Sequence, residues 1–496
     1  MTLVPLDIPA GFYRNGTDLE QSNRWRDGSL VRWRDNSLRP IGGWQERKTS
    51  FCTNVVRGMH TWEANNGTAY AAGGSYNELK AMTGGGTVYD IAPTDLATGR
   101  EDAEVETGYG YGFYGSGFYG TPIQQNANAV PEEATQWNLD NWGEYLVACN
   151  KDDGRLLQWQ LSPAVKAAAI ANAPTNNLGL VVTEERFIFA LGSGNNPRKI
   201  SWCDRENNTA WTPAATNEAG DIELADSGQI MQGVRTRGQT LILTDTSAHT
   251  ARYLGPPYVY GFERVGTSCG AISRKAASDV DMGVFWMGQR GFFRFDGNSV
   301  QEIPCDVFDY VFGDFNPAQQ SKVWSFANGQ YGEVWWFYCS ENSTEIDRYV
   351  AYDYKEGHWL IGNLSRTAGV QRGVFRYPFM AGHNADSDIY EHEVGLNVDS
   401  SSIFAESGPI SIGAGDQVAR VTELIPDEKT QGDVNVTFKT RLYPNGAETS
   451  HGPFTTANPT SVRFTGRQVR MRVDGAILSD FRVGNMRIDM KAGGRR

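Results

Sequence analysis

The chain is poor in the features that most readily mark a function. It has six cysteines in 496 residues, Cys52, Cys149, Cys203, Cys269, Cys305 and Cys339, and no two of them stand in a Cys-x-x-Cys spacing. No histidine pair has zinc spacing either, so neither a structural zinc site nor a disulfide framework organises the fold. The cysteines sit beside branched or aromatic residues, as in Val147-Ala148-Cys149 and Phe337-Tyr338-Cys339. That setting fits reduced, buried thiols in a protein assembled in a reducing cytoplasm. No run of about 18 apolar residues occurs, so no helical span and no stable membrane insertion is expected. Met1-Thr2-Leu3-Val4-Pro5 lacks the basic start and apolar core of a signal peptide. Positive charge is in deficit, with a formal net charge of −13. Such a chain is not expected to grip nucleic acid over its whole surface, although it could line a path along which DNA slides.

What the chain does have is glycine, 56 residues, and aromatic side chains, 12% of the total. With few long apolar helical runs, that balance favours β-structure with many turns. Strand-like clusters recur with turn signals between them. Ala69–Gly74 leads to Val88–Ile91, and Tyr145–Cys149 turns at Asp152-Asp153-Gly154 to return as Leu156–Trp159. Arg186–Ala190 pairs with Lys199–Trp202, and Thr240–Thr244 with Ala251–Leu254. Gly283–Met287 precedes Gly291–Phe295, which ends at an Asp296-Gly297 turn, and Val334–Phe337 precedes Tyr349–Asp353. Each unit reads as a hairpin of two inner strands, and the units recur about every 40–50 residues, the signature of propeller blades. The expected fold is all-β: a β-propeller-like body over 46–397, an N-terminal arm over 1–45 and an antiparallel β-domain over 398–496. Helices are expected only at Pro163–Ala171 and within 304–325, around Val307–Phe312 and Ala318–Val323.

Three segments stand apart. The arm alternates arginine with tryptophan at Arg24-Trp25-Arg26, Arg32-Trp33-Arg34, Arg39 and Trp44. Guanidinium groups stacked on indoles would lock it onto the body or onto a neighbour. A role in nucleic-acid stacking is the alternative, opposed by Glu20, Asp27 and Asp35. The insertion near 98–135 contains a Gly-aromatic run with Tyr109, Tyr111, Phe113, Tyr114, Phe118 and Tyr119. It is either a spacer or a loop that assembles or faces a lumen. From Arg463 onward nine basic residues face three acidic ones, a segment of +6 that leaves about −19 on the rest of the chain. Arg467, Arg470 and Arg472 lie in this segment, and alternate arginines on a strand give one charged face. That face is either solvated, in contact with an acidic partner, or in contact with DNA.

A search for chemistry is unproductive. Gly-x-Ser-x-Gly, His-Glu-x-x-His and P-loop motifs are absent. Glu333, Asp306, Asp309 and Asp353 are the carboxylates considered for glycan hydrolysis, but no spacing marks an acid–nucleophile pair. Ser201-Trp202-Cys203-Asp204 has only a faint likeness to a sialidase Asp-box. Glu391-His392-Glu393 places its histidine on the strand face opposite the two glutamates, a poor metal site. Asp152-Asp153-Gly154 and Asp296-Gly297 read as turns before calcium ligands. No catalytic residue, cofactor or metal is expected, and the chain is expected not to be an enzyme.

Several motifs in order nevertheless carry a family resemblance. They are Gly11-Phe12-Tyr13-Arg14-Asn15-Gly16-Thr17, Leu38-Arg39-Pro40-Ile41-Gly42-Gly43-Trp44, the Gly-Tyr run and Trp137-Asn138-Leu139-Asp140-Asn141-Trp142-Gly143-Glu144. Ala210-Trp211-Thr212-Pro213, the block from Met287 to Tyr338 and Gly466-Arg467-Gln468-Val469-Arg470-Met471-Arg472-Val473 complete them. In this order they resemble the tail nozzle or packaged-DNA stabilisation proteins of short-tailed bacteriophages. The resemblance implies a propeller-bearing virion subunit, assembled in the host cytoplasm, six of which ring the tail axis beneath an adaptor. Such a ring would pass double-stranded DNA transiently and carry fibre, spike or needle proteins. Arg24, Trp25, Arg32, Trp33, Arg39, Trp44, Arg467, Arg470 and Arg472 are then the interface candidates, and the aromatic residues of the Gly-Tyr run are candidates for a lumen or gate. A receptor- or glycan-binding propeller at a tail tip and a tail glycan hydrolase are the two alternatives.

Overall fold

Seven antiparallel four-stranded sheets follow one another around an axis. They are seen in a computed structural model that describes residues 2–104, 132–226, 228–383, 387–398, 402–412, 417–444, 446–475 and 479–494. The Gly-Tyr run and its six aromatic candidates lie outside the described residues. Blade 1 is built from Met59–Glu63, Ala69–Gly74, Leu79–Thr83 and Val88–Asp90. Blades 2 to 6 begin at Trp137–Trp142, Gly179–Val182, Ile230–Thr236, Ala277–Val280 and Trp324–Asn328, and blade 7 at Arg366–Val370. These first strands touch one another in a closed cycle, the seventh against the first, so the blades form a complete propeller. The fold is all-β and propeller-like.

The strands follow from the sequence pattern. The second strand of each blade is shielded on both faces by its neighbours. Tyr145–Asn150, Gln239–Thr244, Gly283–Gly288 and Glu333–Tyr338 are accordingly almost wholly buried runs. Fourth strands lie at the rim and are polar, as in Gly220–Glu223 and Val300–Ile303. The helix expected over 163–171 is not there. Ala168–Ala169 instead pairs with Leu157–Trp159 as the edge strand of blade 2. A segment of nine residues is too short to hold a helix by alanine propensity alone, and ladder bonds to the blade decide its form. Within 304–325 the chain forms a short α-helix, Phe308–Gly313, and a 3-10 segment, Pro317–Lys322, whose Asn316 side chain accepts from the Ala318 N–H.

Blade 7 takes its outermost strand from the other end of the chain. Trp44–Lys48 pairs antiparallel with Ile389–His392 and closes the ring. The rest of the N-terminal segment is equally engaged. Thr2–Pro5 extends a sheet with Arg487–Ala492, Ala419–Ile425 and Thr460–Gly466. Trp25–Ser29 joins a second sheet with Phe404–Ser407, Gln468–Gly475, Val434–Arg441 and Thr449–Thr455. The two sheets face each other through alternating residues, Val434, Val436, Phe438, Val469, Met471 and Val473 against Val421, Leu424, Val462, Phe464 and Ile488. At Gly28 the sheets leave no room for a side chain, since a Cβ would lie 2.3 Å from the Phe12 ring and 2.7 Å from the Phe404 carbonyl oxygen. Between sandwich and propeller runs the hairpin Val31–Arg34 and Ser37–Pro40. Its two-residue turn, Asp35-Asn36, has φ of 51° and 60°, a type I′ conformation that matches strand twist.

That hairpin carries Arg32 into the interior. Its Nε lies 2.9 Å from Glu333 Oε1, and its Nη1 donates to Glu393 Oε2 at 3.0 Å. The ring of Tyr331 covers the guanidinium at 3.7 Å. Burial alone would lower the Arg32 pKa, but Glu333 and Glu393 outweigh it and hold the group charged. Trp335 Nε1 donates to Glu333, and the Gly42 N–H and Asn328 Nδ2 donate to Glu393, so the carboxylates share their charge with other donors. Removing one member of a buried ion network leaves the others unpaired in a medium that cannot solvate them. Arg32→Met is therefore expected to cost about 3–5 kcal/mol in urea unfolding. Arg32→Lys should fall between the two, because one ammonium cannot serve both carboxylates in fork geometry.

Candidate functional site

The propeller axis is the place where six of the seven blades bring polar side chains together. A cavity of about 160 Å³ there is lined by Arg57, Met59, Gln136, Gln232, Lys275, Ser325 and Thr367, from blades 1, 2, 4, 5, 6 and 7. Small and polar residues face the axis because the first strands converge on it. Side-chain amides and hydroxyls stitch the wall. Gln232 Nε2 donates to the Ala277 carbonyl at 3.0 Å, the Ala277 N–H returns a bond of 3.0 Å to Gln232 Oε1, and the Ser278 and Ser325 hydroxyls are 2.7 Å apart. His60 Nε2 meets Asn141 Oδ1 at 3.1 Å nearby.

The charges of the wall are unequally matched. Arg57 donates to Glu345 through Nη1 at 2.7 Å and Nη2 at 2.5 Å, and Lys322 adds a second cation 3.6 Å from that carboxylate. Burial would raise Glu345, but Arg57 and Lys322 overcome it and hold the carboxyl down at about 2. Lys275 has no such partner among the described residues. Burial pushes its ammonium down to about 8, opposed only by the more distant Asp140.

A second, wider cleft of about 690 Å³ opens where the inner turns of blades 4 to 7 meet. Its polar residues include Arg237, Asp279, Asp281, Arg294, Asp296 and Tyr354. Asp279 reaches solvent at the rim, yet its partly buried surroundings and then the charge of Asp281 push it up to about 6, with Arg235 pulling the other way. Two carboxyls in one cleft, one of them raised towards neutrality, can divide acid and base roles between them.

The residues singled out from sequence are placed differently. Trp25, Arg32, Trp33 and Trp44 are buried within this one chain, and Arg39 is half-buried. They pack the arm onto its own body. Arg24 is exposed, its guanidinium 5.7 Å from the Tyr13 ring. The acidic partners of Arg470 and Arg472 are internal. Arg470 pairs with Asp18 and, at 3.2 Å, with Glu448, while Arg472 reaches Asp474 at 2.8 Å and covers the Phe404 ring at 3.8 Å. Arg467 stacks over Tyr443 at 5.1 Å. Of the carboxylates considered, Glu333 is locked to Arg32, Asp309 accepts from the Gly16 N–H at 2.8 Å, and Asp306 sits just before the short helix. Asp353 accepts from the Lys355 and Glu356 N–H groups. The donor atoms of Asp353, Glu356 and His358 lie within 4.8 Å of one another, a grouping that motif spacing did not single out. Burial raises the Cys203, Cys305 and Cys339 thiols to about 12, so these are unreactive near neutrality.

The raised Asp279 group gives a pH signature. Between about pH 4, its ordinary range, and pH 6 the unfolded chain loses this proton while the folded chain keeps it, so its contribution disfavours the fold as pH rises. Above pH 6 the penalty is complete. Asp279→Asn removes it. Thermal unfolding should show the variant about 1–2 °C more stable than the parent at pH 7, with the gap closing towards pH 4. A gap that is constant with pH would show that Asp279 is not held protonated.

Several solved structures match part of the chain. Virginiamycin B lyase from Staphylococcus aureus matches with a TM-score of 0.43 at 8% identity, over 70% of this chain and 98% of that one. A streptogramin B lyase matches with a TM-score of 0.43 at 9% identity, over 71% and 97%. The AfRom2 CNH domain matches with a TM-score of 0.31 at 12% identity, over 56% and 93%. No family model and no curated protein matches the chain. At these identities the likeness is one of fold and transfers no activity. The expectation from sequence that the chain is not an enzyme no longer stands, since lyases are among the matching structures, and no activity of theirs is assigned to this chain. A motif search reads contiguous signatures, whereas a propeller assembles a cleft from turns of several blades. The chain is a β-propeller protein.

Proposed function

We propose that the chain is a structural subunit of a short phage tail, the nozzle, acting as a closed ring that passes and retains DNA in the virion. The observation that carries this reading is the fate of the tryptophans. All fourteen are 8% exposed or less and are spread through the blades and the arm. Glycan recognition relies on exposed aromatic faces, and indoles used wholly as packing suit a rigid building block instead. The family resemblance of the sequence supplies the tail context, the adaptor above, and the fibre, spike or needle proteins below. The charge of −13 suits a lumen that DNA must leave freely, because each fixed cation on a phosphate adds affinity and drag.

A ring needs heterologous contacts between copies. The outer hairpin of blade 4, Ser247–Gly255 and Val259–Thr267, is the longest of the propeller, and its tip exposes Leu254 at 61% and Tyr258 at 78%. This apolar tip is the surface best suited to such a contact. Electron microscopy of assembled tails should show six copies around the axis, and Tyr258→Asp should leave a folded monomer that fails to assemble. Monomers or dimers in the intact tail would defeat the ring. Tyr258→Asp assembling normally would move the contact elsewhere.

The Asp279 and Asp281 cleft favours a second reading, a glycan hydrolase on the same tail. It predicts that purified protein depolymerises the host's surface polysaccharide, and that Asp279→Asn and Asp281→Asn each lower that rate at least a hundredfold while leaving ring formation intact. Absence of any released oligosaccharide would remove this reading.

A further inference from the structure

The turn between the third and fourth strands of blade 6 gathers three metal-ligating side chains. The strands are Arg348–Asp353 and His358–Asn363, and Asp353 and His358 are paired where they end and begin. The Gly357 N–H closes the turn on the Asp353 carbonyl at 2.8 Å. One donor atom from each of Asp353, Glu356 and His358 lies within 4.8 Å of the other two.

Two of the three are buried without the partners that burial calls for. His358 is 6% exposed, and neither of its ring nitrogens has a hydrogen-bond partner among the described residues. Its Nδ1 stands 4.0 Å from Glu356 Oε2, beyond hydrogen-bond reach. Asp353 is 1% exposed, and among the described residues no lysine or arginine pairs with it or with Glu356. Asp353 Oδ1 accepts from the Lys355 and Glu356 N–H groups at 2.8 and 2.9 Å, bonds that bring no cation to the site. A buried carboxylate without a cation and a buried imidazole without a hydrogen bond are each costly, and one cation between them would relieve both.

The surroundings fix two of the ligands and leave the third adjustable. Trp33 meets the His358 ring edge to face at 6.0 Å, and Gly11 approaches so closely that a Cβ there would lie 2.5 Å from His358 Cβ. Asp353 is held by its two turn N–H bonds. Glu356 is exposed, and its Oε1 accepts from the Asp35 N–H at 3.2 Å. Ligand bonds of about 2.0–2.2 Å place two ligands about 3–4 Å apart, so a small movement of Glu356 completes the set.

We infer that Asp353, Glu356 and His358 form a binding site for a divalent transition-metal ion, the class represented by zinc, with its remaining positions open to water. One imidazole nitrogen and two carboxylates suit such an ion, whereas magnesium takes oxygen ligands and gains nothing from the imidazole. Glu356 would then join the ion to the Asp35 turn through its other oxygen, tying the N-terminal hairpin to blade 6. The inference rests on neither the nozzle reading nor the hydrolase reading, and its test is independent of assembly.

The test is calorimetric titration of the chelator-treated full chain near pH 7 with zinc chloride and, separately, with magnesium chloride. Zinc is expected to bind with one site per chain and at least about a hundredfold more tightly than magnesium. Glu356→Gln alters only an exposed side chain, and Asp353→Asn keeps an oxygen for the two turn N–H groups. Each should weaken zinc by about tenfold to a hundredfold, with circular dichroism establishing that the variant is folded. His358→Gln should remove most of the preference for zinc over magnesium. The parent's melting temperature should rise with zinc concentration, and Glu356→Gln should blunt that rise. Absence of saturable zinc binding would overturn the inference. Zinc binding unchanged in both Glu356→Gln and Asp353→Asn would place the ion on other residues and overturn it equally. Magnesium binding as tightly as zinc would show that His358 takes no part and would overturn the assigned class.

Discussion

The buried contact of Arg32 with Glu333 and Glu393 is the constraint on which the two parts of this molecule depend. Arg32 belongs to the hairpin next to the sandwich, Glu333 opens the second strand of blade 6, and Glu393 follows the third strand of blade 7. One guanidinium thus fixes the hairpin against the last two blades of the ring. A buried ion network contributes little net stability, because the desolvation it costs roughly cancels the attraction it gains. Its physical value here is register. A slip of one residue along Val31–Arg34 would turn Arg32 away and put Trp33 in its place, leaving two carboxylates buried without a cation. The same slip would move Trp33 off Phe12, where the rings meet edge to face at 4.9 Å.

Once the hairpin is fixed, Trp44–Lys48 is delivered to the edge of blade 7. Without that strand, Ile389–His392 would present an unpaired edge, and blades 7 and 1 would be joined by their first strands and by the apolar cluster of Ala71 and Met82 with Phe379 and Ala381. Arg366 completes the join from inside. Its Nε donates to His392 Nε2 at 2.9 Å, its guanidinium lies 4.9 Å from the Trp44 ring, and burial with Arg366 beside it keeps His392 neutral. Closure by a strand from the distant end of the sequence makes the propeller and the sandwich mutually dependent, since the segment that ends one sheet of the sandwich begins the chain that seals the ring.

The legible part of this architecture was the part governed by local pattern. Tyr145–Asn150, Gly283–Gly288 and Glu333–Tyr338 are buried apolar runs ended by turn residues, so the central strands of six blades could be read directly. Alternation along Val434–Arg441 and Gln468–Gly475 likewise announced a two-faced sheet. Rim strands such as Ala168–Ala169 and Gly220–Glu223 are polar, short and shaped by the ladder they join, so their sequences carry little signal. The central strand of blade 7, Phe379–Gly382, is only four residues long and escaped notice. Arg32 and its tryptophan neighbours looked like a surface for another chain, because composition shows that cation and indole will stack but not whether the partner lies in the same molecule.

The axial cavity was invisible in sequence for a related reason. Gln136, Lys275 and Thr367 are separated by more than ninety residues at each step, and no spacing rule joins them. What joins them is symmetry. Six of the blades send residues of the first strand, or of the segment just before it, towards the axis, so residues far apart in sequence become neighbours. In blades 1, 4 and 6 these side chains are satisfied by near neighbours, Arg57 by Glu345, Gln232 by Ala277 and Ser325 by Ser278. Which residues meet across the axis is thus set by the closure of the ring, and no local pattern in the sequence encodes it.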